Sequence, residues 1–326
     1  MWKNSPLRVI WWQRPIWAWL LLVILAACGE DPQPEQPPQP EVVVPTFQAD
    51  SAYAFVAQQV AFGPRVPNSG GHRACGDWLM ATFARYGARV QAQESVVRAF
   101  DGTALNMRNI IASFQPEKKR RILLTAHWDT RPFADEDSSR QQEPIPGAND
   151  GGSGVGVLLE VARQLGQQAP QVGVDIILWD AEDYGSSEHE NSYCLGSQYW
   201  SRQPHVPGYM PMYAINLDMV GAEGAYFTRE GISEQYARSV LDKVWYTARS
   251  LGYDRFFRSH SSEGIIDDHT YMNLVARIPT IDIIDRPGGN RFFPHWHTHR
   301  DDLSTISRET LGAVGQTLLT VVYQER

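Results

Sequence analysis

Cysteine is scarce: three in 326 residues, which excludes a disulfide-built scaffold and a metal centre made mainly of thiolates. Positive charge is also short, with 29 Lys and Arg against 37 Asp and Glu and a net charge of −8 at pH 7. No basic stripe interrupts that balance, so no nucleic-acid partner is expected. No internal repeat is apparent. Residues 16–27 form an apolar stretch, but it is too short for a comfortable membrane span. What remains is ordinary globular material, 43% hydrophobic and 20% charged.

The N-terminus reads as a leader. Lys3, Arg8 and Arg14 precede the apolar stretch, which ends in Leu25-Ala26-Ala27-Cys28. Small residues before that point mark a cleavage site, giving a signal peptide over residues 1–27. A Cys directly after the cleavage point resembles the lipobox of bacterial lipoproteins, whose sulfur receives a diacylglycerol. That resemblance implies a lipid anchor at Cys28 and a place in the bacterial cell envelope, with the domain periplasmic or exterior. Gly29 after the Cys favours the outer membrane. An uncleaved anchor with an incidental Cys is the alternative. Residues 28–46, rich in Pro, Glu and Gln, are expected to be an extended tether, leaving a single α/β domain over 47–326. Cys75 and Cys194 could pair or stay as buried thiols, and both remain open.

Near-continuous apolar runs rich in β-branched residues recur at 108–114, 121–126, 174–179, 212–217 and 279–284. Such runs suit strands covered on both faces. Helical patterns lie between them, at 71–86, 233–251 and 307–323. A further helix is capped by Ser153, with Val155, Leu158, Leu159, Ala162 and Leu165 on one side. Alternating strands and helices predict a three-layer α/β/α sandwich around a mostly parallel sheet. In such sheets functional groups gather at the carboxyl ends of strands, and polar residues fall there: His127, Asp180 to Asp183, and Asp218.

Several candidates join these. Gly147-Ala148-Asn149-Asp150-Gly151-Gly152-Ser153-Gly154 is a glycine-rich turn opening a helix, but no Lys follows it and its Asp would repel phosphate. Asp267-Asp268-His269 opens another helix, and His295-Trp296-His297-Thr298-His299 lies in an aromatic-rich loop. Carboxylates converging on one sheet edge would repel one another unless a divalent cation joined them. His nitrogen with Asp and Glu oxygen is the ligand set of catalytic zinc. His295 and His299 read as exposed or supporting residues, and Glu188, His189 and Glu190 as solvated surface. Loops 135–146 and 186–191 are candidate lids.

From residue 50 to the end, the chain is similar to the zinc aminopeptidase (M28-like) family, and most similar to its glutaminyl-peptide cyclotransferase branch. The carrying motifs are His127-Trp128-Asp129-Thr130-Arg131-Pro132, Trp179-Asp180-Ala181-Glu182-Asp183-Tyr184-Gly185, Ile265-Ile266-Asp267-Asp268-His269 and Trp296-His297-Thr298. The resemblance implies one zinc on Asp150, Asp183 and His297, with His127 and Asp218 as second-metal ligands or supports. It makes Glu182 a proton shuttle, pairs Asp218 with Asp267, and lines the substrate pocket with Trp296, Ile265 and Phe292. It implies cyclisation of N-terminal glutamine, in peptides or proteins, to pyroglutamate with release of ammonia. Animal cyclases carry Glu where Asp183 stands, so its mode of coordination is left open. A two-metal aminopeptidase is the rival reading, and a non-catalytic peptide-binding lipoprotein the third.

Overall fold

A computed structural model describes residues 42–286 and 291–326; the leader, Cys28 and most of the tether lie outside the described residues. The first half of the chain forms α1 (Ala49–Ala61), α2 (Gly70–Arg85), β1 (Arg89–Arg98), β2 (Ala104–Phe114), β3 (Arg121–His127), α3 (Ser153–Gln167) and β4 (Gly173–Trp179). There follow α4 (Leu195–Arg202), β5 (Ala214–Asp218), β6 (Phe227–Arg229), α5 (Gly231–Tyr236), α6 (Arg238–Ser250), β7 (Phe257–Ser261), α7 (Asp268–Tyr271), β8 (Thr280–Ile284) and α8 (Arg308–Gln324). The six-stranded sheet has the order β1-β2-β4-β3-β5-β8. Its four-strand block β4-β3-β5-β8 is parallel, and β1 and β2 are antiparallel additions.

Strand alternation divides the core. Ile110, Ile122, Leu124, Ile176 and Ile215 face a large cluster with α1, α2, α3, α6 and α8. Their neighbours Ile111, Leu123, Ile177 and Ala214 face a smaller one with Trp200 of α4 and Met272. Period-two geometry sends successive side chains to opposite faces, so continuous apolar runs serve both layers and the expected sandwich results. β1 was not foreseen, because its residues are mostly exposed or half-buried and it carries Arg89, Glu94 and Arg98 on an edge. Charge there discourages pairing with another chain.

Local readings shift in three places. Ser153 is the first helical residue rather than the cap; its Oγ donates to the Asn149 carbonyl at 2.6 Å and accepts from the Val220 amide at 2.9 Å. α3 is buried nearly all round rather than on one stripe, because α1 and α8 cover the side turned from the sheet. The expected helix 233–251 breaks at Ala237, whose φ of −137° ends α5 and begins α6. Residues 42–46, grouped with the tether by composition, lie against the domain: Gln168 donates to the Val43 carbonyl at 2.7 Å and Gln316 to that of Pro45 at 3.2 Å.

Candidate metal centre and substrate pocket

The order β4-β3-β5-β8 sets the carboxyl ends of these strands side by side. His127 closes β3, Asp218 closes β5, and the turn after β4 carries Ala181, Glu182 and Asp183. Asp150 enters from the glycine-rich turn before α3. In that turn Gly151 has φ +76°, and a Cβ would overlap the Asp129 carbonyl and crowd the His127 ring at 3.1 Å. Only glycine lets the backbone come this close.

Asp150, Asp183 and His297 converge, with ligand atoms within 4.8 Å of one another. The His297 Nε2 lies 3.2 Å from Asp183 Oδ1 and 3.8 Å from Asp150 Oδ2. All three are buried, and the Oδ2 atoms of both aspartates have no hydrogen-bond partner. Orphaned buried carboxylate oxygens are strongly unfavourable unless a cation meets them. One imidazole and two carboxylates without thiolate form a set that fits zinc and leaves a position for substrate.

The supports of this set come from residues no motif had singled out for the task. Asp301 accepts from the backbone amides of Asn149 at 2.7 Å and Asp150 at 3.0 Å. Asp129 does the same for Glu182 at 3.0 Å and Asp183 at 3.2 Å. Asp135 lies 3.3 Å from His297 Nδ1, so Nε2 is presented to the cluster. Arg131 holds Asp135 through two bonds of 2.7 and 2.6 Å and donates to the Asp183 carbonyl at 2.9 Å. Loop 135–146 is therefore a brace rather than a lid: Asp137 also accepts from the His299 backbone at 3.0 Å. Backbone strain gathers here, with non-glycine residues at positive φ: Ala181 (53°), Cys194 (60°), Met219 (49°) and His297 itself (54°). Such conformations persist where surrounding structure enforces them, and active sites collect them.

A second group of donors shares Asp150. His127 Nε2 lies 3.1 Å from Asp150 Oδ1 and 3.2 Å from Asp218 Oδ1. Burial pulls this imidazole down, but its hydrogen bonds to the carboxylates of Asp129, Asp150 and Asp218 outweigh that and hold it well above the usual histidine range. Burial, with Asp267 and Asp150 nearby, pushes Asp218 up to about 7. Asp218 and Asp267 were expected to share a proton directly. Instead Asn216, on the same strand face as Asp218, donates to Asp267 Oδ2 at 3.1 Å and to Asp282 Oδ1 at 3.2 Å. Asp267 joins that network while Asp218 pairs with His127.

A cavity of about 360 Å³ opens onto the cluster, lined by Glu182, Asp267, Ile265, Phe292 and Trp296 among others. Glu182 lies beside Asp183 with 13% of its side chain exposed. Burial and the neighbouring Asp183, Asp268 and Asp267 raise its carboxyl well above the ordinary range. Trp296 stacks on the His297 ring at 3.6 Å between centroids and meets Phe292 at 4.7 Å. The indole therefore packs a ligand as well as walling the pocket. His189 and Glu190 are exposed as expected, yet they line the pocket mouth. Glu230, unremarked in the sequence, is fully buried and ties down the wall: it accepts from the Ile265 amide at 3.0 Å and pairs with His269 Nε2 at 3.0 Å. Cys75 and Cys194 are both buried free thiols.

The family model for peptidase family M28 matches residues 109–322, and the chain belongs to that family. It is 51% identical to a glutaminyl cyclase of Bacteroides thetaiotaomicron bound to N-acetylhistamine, with a TM-score of 0.86 over 87% of this chain and 100% of that one. It is 50% identical to a Zn-dependent exopeptidase from Parabacteroides distasonis, with a TM-score of 0.85 over 87% of this chain and 100% of that one. Aminopeptidase YwaD of Bacillus subtilis is 27% identical over 73% of this chain; the chain spans about half, 49%, of that curated relative's length. The donor set is that of a zinc enzyme of this family. Cyclase and peptidase names both occur among the relatives, so the choice of reaction rests on the site.

Proposed function

We propose that this protein is a zinc-dependent glutaminyl-peptide cyclotransferase, converting N-terminal glutamine of peptides or proteins to pyroglutamate. The observation that carries the reading is the Asp150, Asp183 and His297 triad, with two orphaned carboxylate oxygens, at the base of an aromatic-walled pocket with Glu182 alongside. In N-terminal glutamine the nucleophile is already attached. The α-amine attacks the γ-amide carbon; the new C–N bond forms as the bond to the amide nitrogen breaks, and no water is consumed. Holding that geometry supplies much of the rate. Glu182 takes the amine proton and returns it to the departing ammonia, a role favoured by its raised carboxyl. Zinc on Asp150, Asp183 and His297 would supply Lewis-acid polarisation of the γ-carbonyl. Trp296, Phe292 and Ile265 wall the pocket against competing water.

An aminopeptidase needs a water held between two metals. The His127, Asp150 and Asp218 donors lie close enough to hold a second metal, so metal content per chain also separates the readings, with one zinc sinking the peptidase. Incubation with a Gln-initiated dipeptide, followed by mass spectrometry, decides: loss of ammonia with the peptide bond intact supports the cyclase, and free glutamine sinks it.

The protein is anchored by lipid at Cys28 in the bacterial cell envelope, probing the periplasm or exterior from the outer membrane. The leader and the small residues before Cys28 support this reading. Cys28→Ser should move the protein from the membrane fraction to the soluble one; unchanged fractionation refutes it.

A further inference from the structure

The turn that carries Glu182 is closed by a segment twelve residues later. The Cys194 amide donates to the Glu182 carbonyl at 2.8 Å and the Leu195 amide to that of Ala181 at 3.0 Å. Ala181 and Cys194, on opposite sides of this closure, both hold left-handed φ, 53° and 60°. Neither is glycine, so the surroundings enforce the arrangement. It aims the fully buried Cys194 side chain at the Glu182 carboxylate, and Sγ lies 3.1 Å from Oε1. Oε2 is turned toward His127, 3.9 Å from Nδ1.

We infer that Cys194 is a positioning residue: its thiol donates to Oε1 of Glu182 and fixes the rotamer in which the carboxylate meets the substrate amine. The inference rests on the cyclase reading. A carboxylate left free to turn about its side-chain bonds would spend less time aligned with amine and leaving group, and alignment is where intramolecular catalysis gains most. Burial and the facing carboxylates of Glu182, Asp268 and Asp267 push this thiol well above its usual range, so its proton stays available to donate. Plain packing is the competing explanation, and it makes different predictions. A packing residue needs volume only; a positioning residue needs a donor, and its effect disappears once its target is gone.

The test uses the full-length zinc-loaded protein, with ammonia release from a Gln-initiated dipeptide as the rate. Cys194→Ala should lower kcat about tenfold with KM and zinc content unchanged, and Cys194→Ser, which keeps a donor, should stay within about threefold of the parent. In a Glu182→Gln background Cys194→Ala should lower the residual rate no further. The inference is overturned if Cys194→Ala stays within about twofold of the parent, or lowers the Glu182→Gln rate by the factor it shows alone. Should Cys194→Ala fail to fold, Cys194→Val and Cys194→Ser are compared, and equal kcat overturns the inference. Absence of ammonia from the unmodified protein would refute the cyclase reading instead, so the two failures are distinguishable.

Discussion

On one side of Asp150, its Oδ2 looks toward Asp183 and His297 without a hydrogen-bond partner; on the other, its Oδ1 lies 3.1 Å from His127, which lies 3.2 Å from Asp218. The two donor groups share an aspartate and a sheet edge. They differ in how their charge is settled. In the first, two carboxylate oxygens have no hydrogen-bond partner and call for a cation. In the second, Asp150 Oδ1 and Asp218 Oδ1 each meet His127 Nε2. Metal content per chain is therefore the measurement that separates the cyclase from the aminopeptidase.

Removing a member of the first group should have the largest effect. His297→Ala should lose zinc on dialysis and reduce turnover on the order of a thousandfold or more; retention of one zinc per chain would break the comparison. Glu182→Gln follows: metal content stays at one, measured by elemental mass spectrometry, while turnover falls by about 10²–10⁴. The second group should answer more mildly. Asp218→Asn should leave one zinc per chain and cost about tenfold in kcat, whereas a drop from two metals to one would restore the peptidase reading.

The smallest effect on turnover is expected at Glu230, which is fully buried and fully partnered and acts on stability instead. Burial alone would raise its carboxyl, yet hydrogen bonds from His269 and Ser233 lower it from 4.5 to about 2. A carboxyl lowered on folding stabilises the native state above its unfolded value and loses that contribution as pH falls toward the folded one. The contribution, on the order of 3 kcal/mol, is complete above about pH 5. Glu230→Gln should therefore lower Tm most near neutral pH, with the deficit narrowing toward pH 3. A deficit constant with pH would refute the assignment.

Much of the molecule was legible before any coordinates. The runs at 108–114, 121–126 and 174–179 became strands because a sheet covered on both faces buries successive side chains alike. The resemblance to the zinc aminopeptidase family pointed to Asp150, Asp183 and His297, and the fold brings these three together from a glycine-rich turn, an acidic cluster after a strand and a loop beside a tryptophan. β1 was illegible because an edge strand with one solvated face carries no apolar run. Asp135, Asp301 and Glu230 were illegible for another reason: each acts across a long gap in sequence, and nothing local marks an aspartate that will cap a backbone turn 150 residues away.

The sequence by itself determined the kinds of side chain at the strand ends, the glycine at position 151 where no Cβ fits, and the alternation that makes three layers. Those follow from local sterics and from which residues water rejects. Only the tertiary structure decided which carboxylates are paired and which are orphaned, because that depends on distances of a few tenths of an ångström between segments far apart in the chain. His127 and His297 are alike as amino acids; what separates them is that Nε2 of one faces Asp150 and Asp218 while Nε2 of the other faces Asp183 and Asp150, with Asp135 behind its ring.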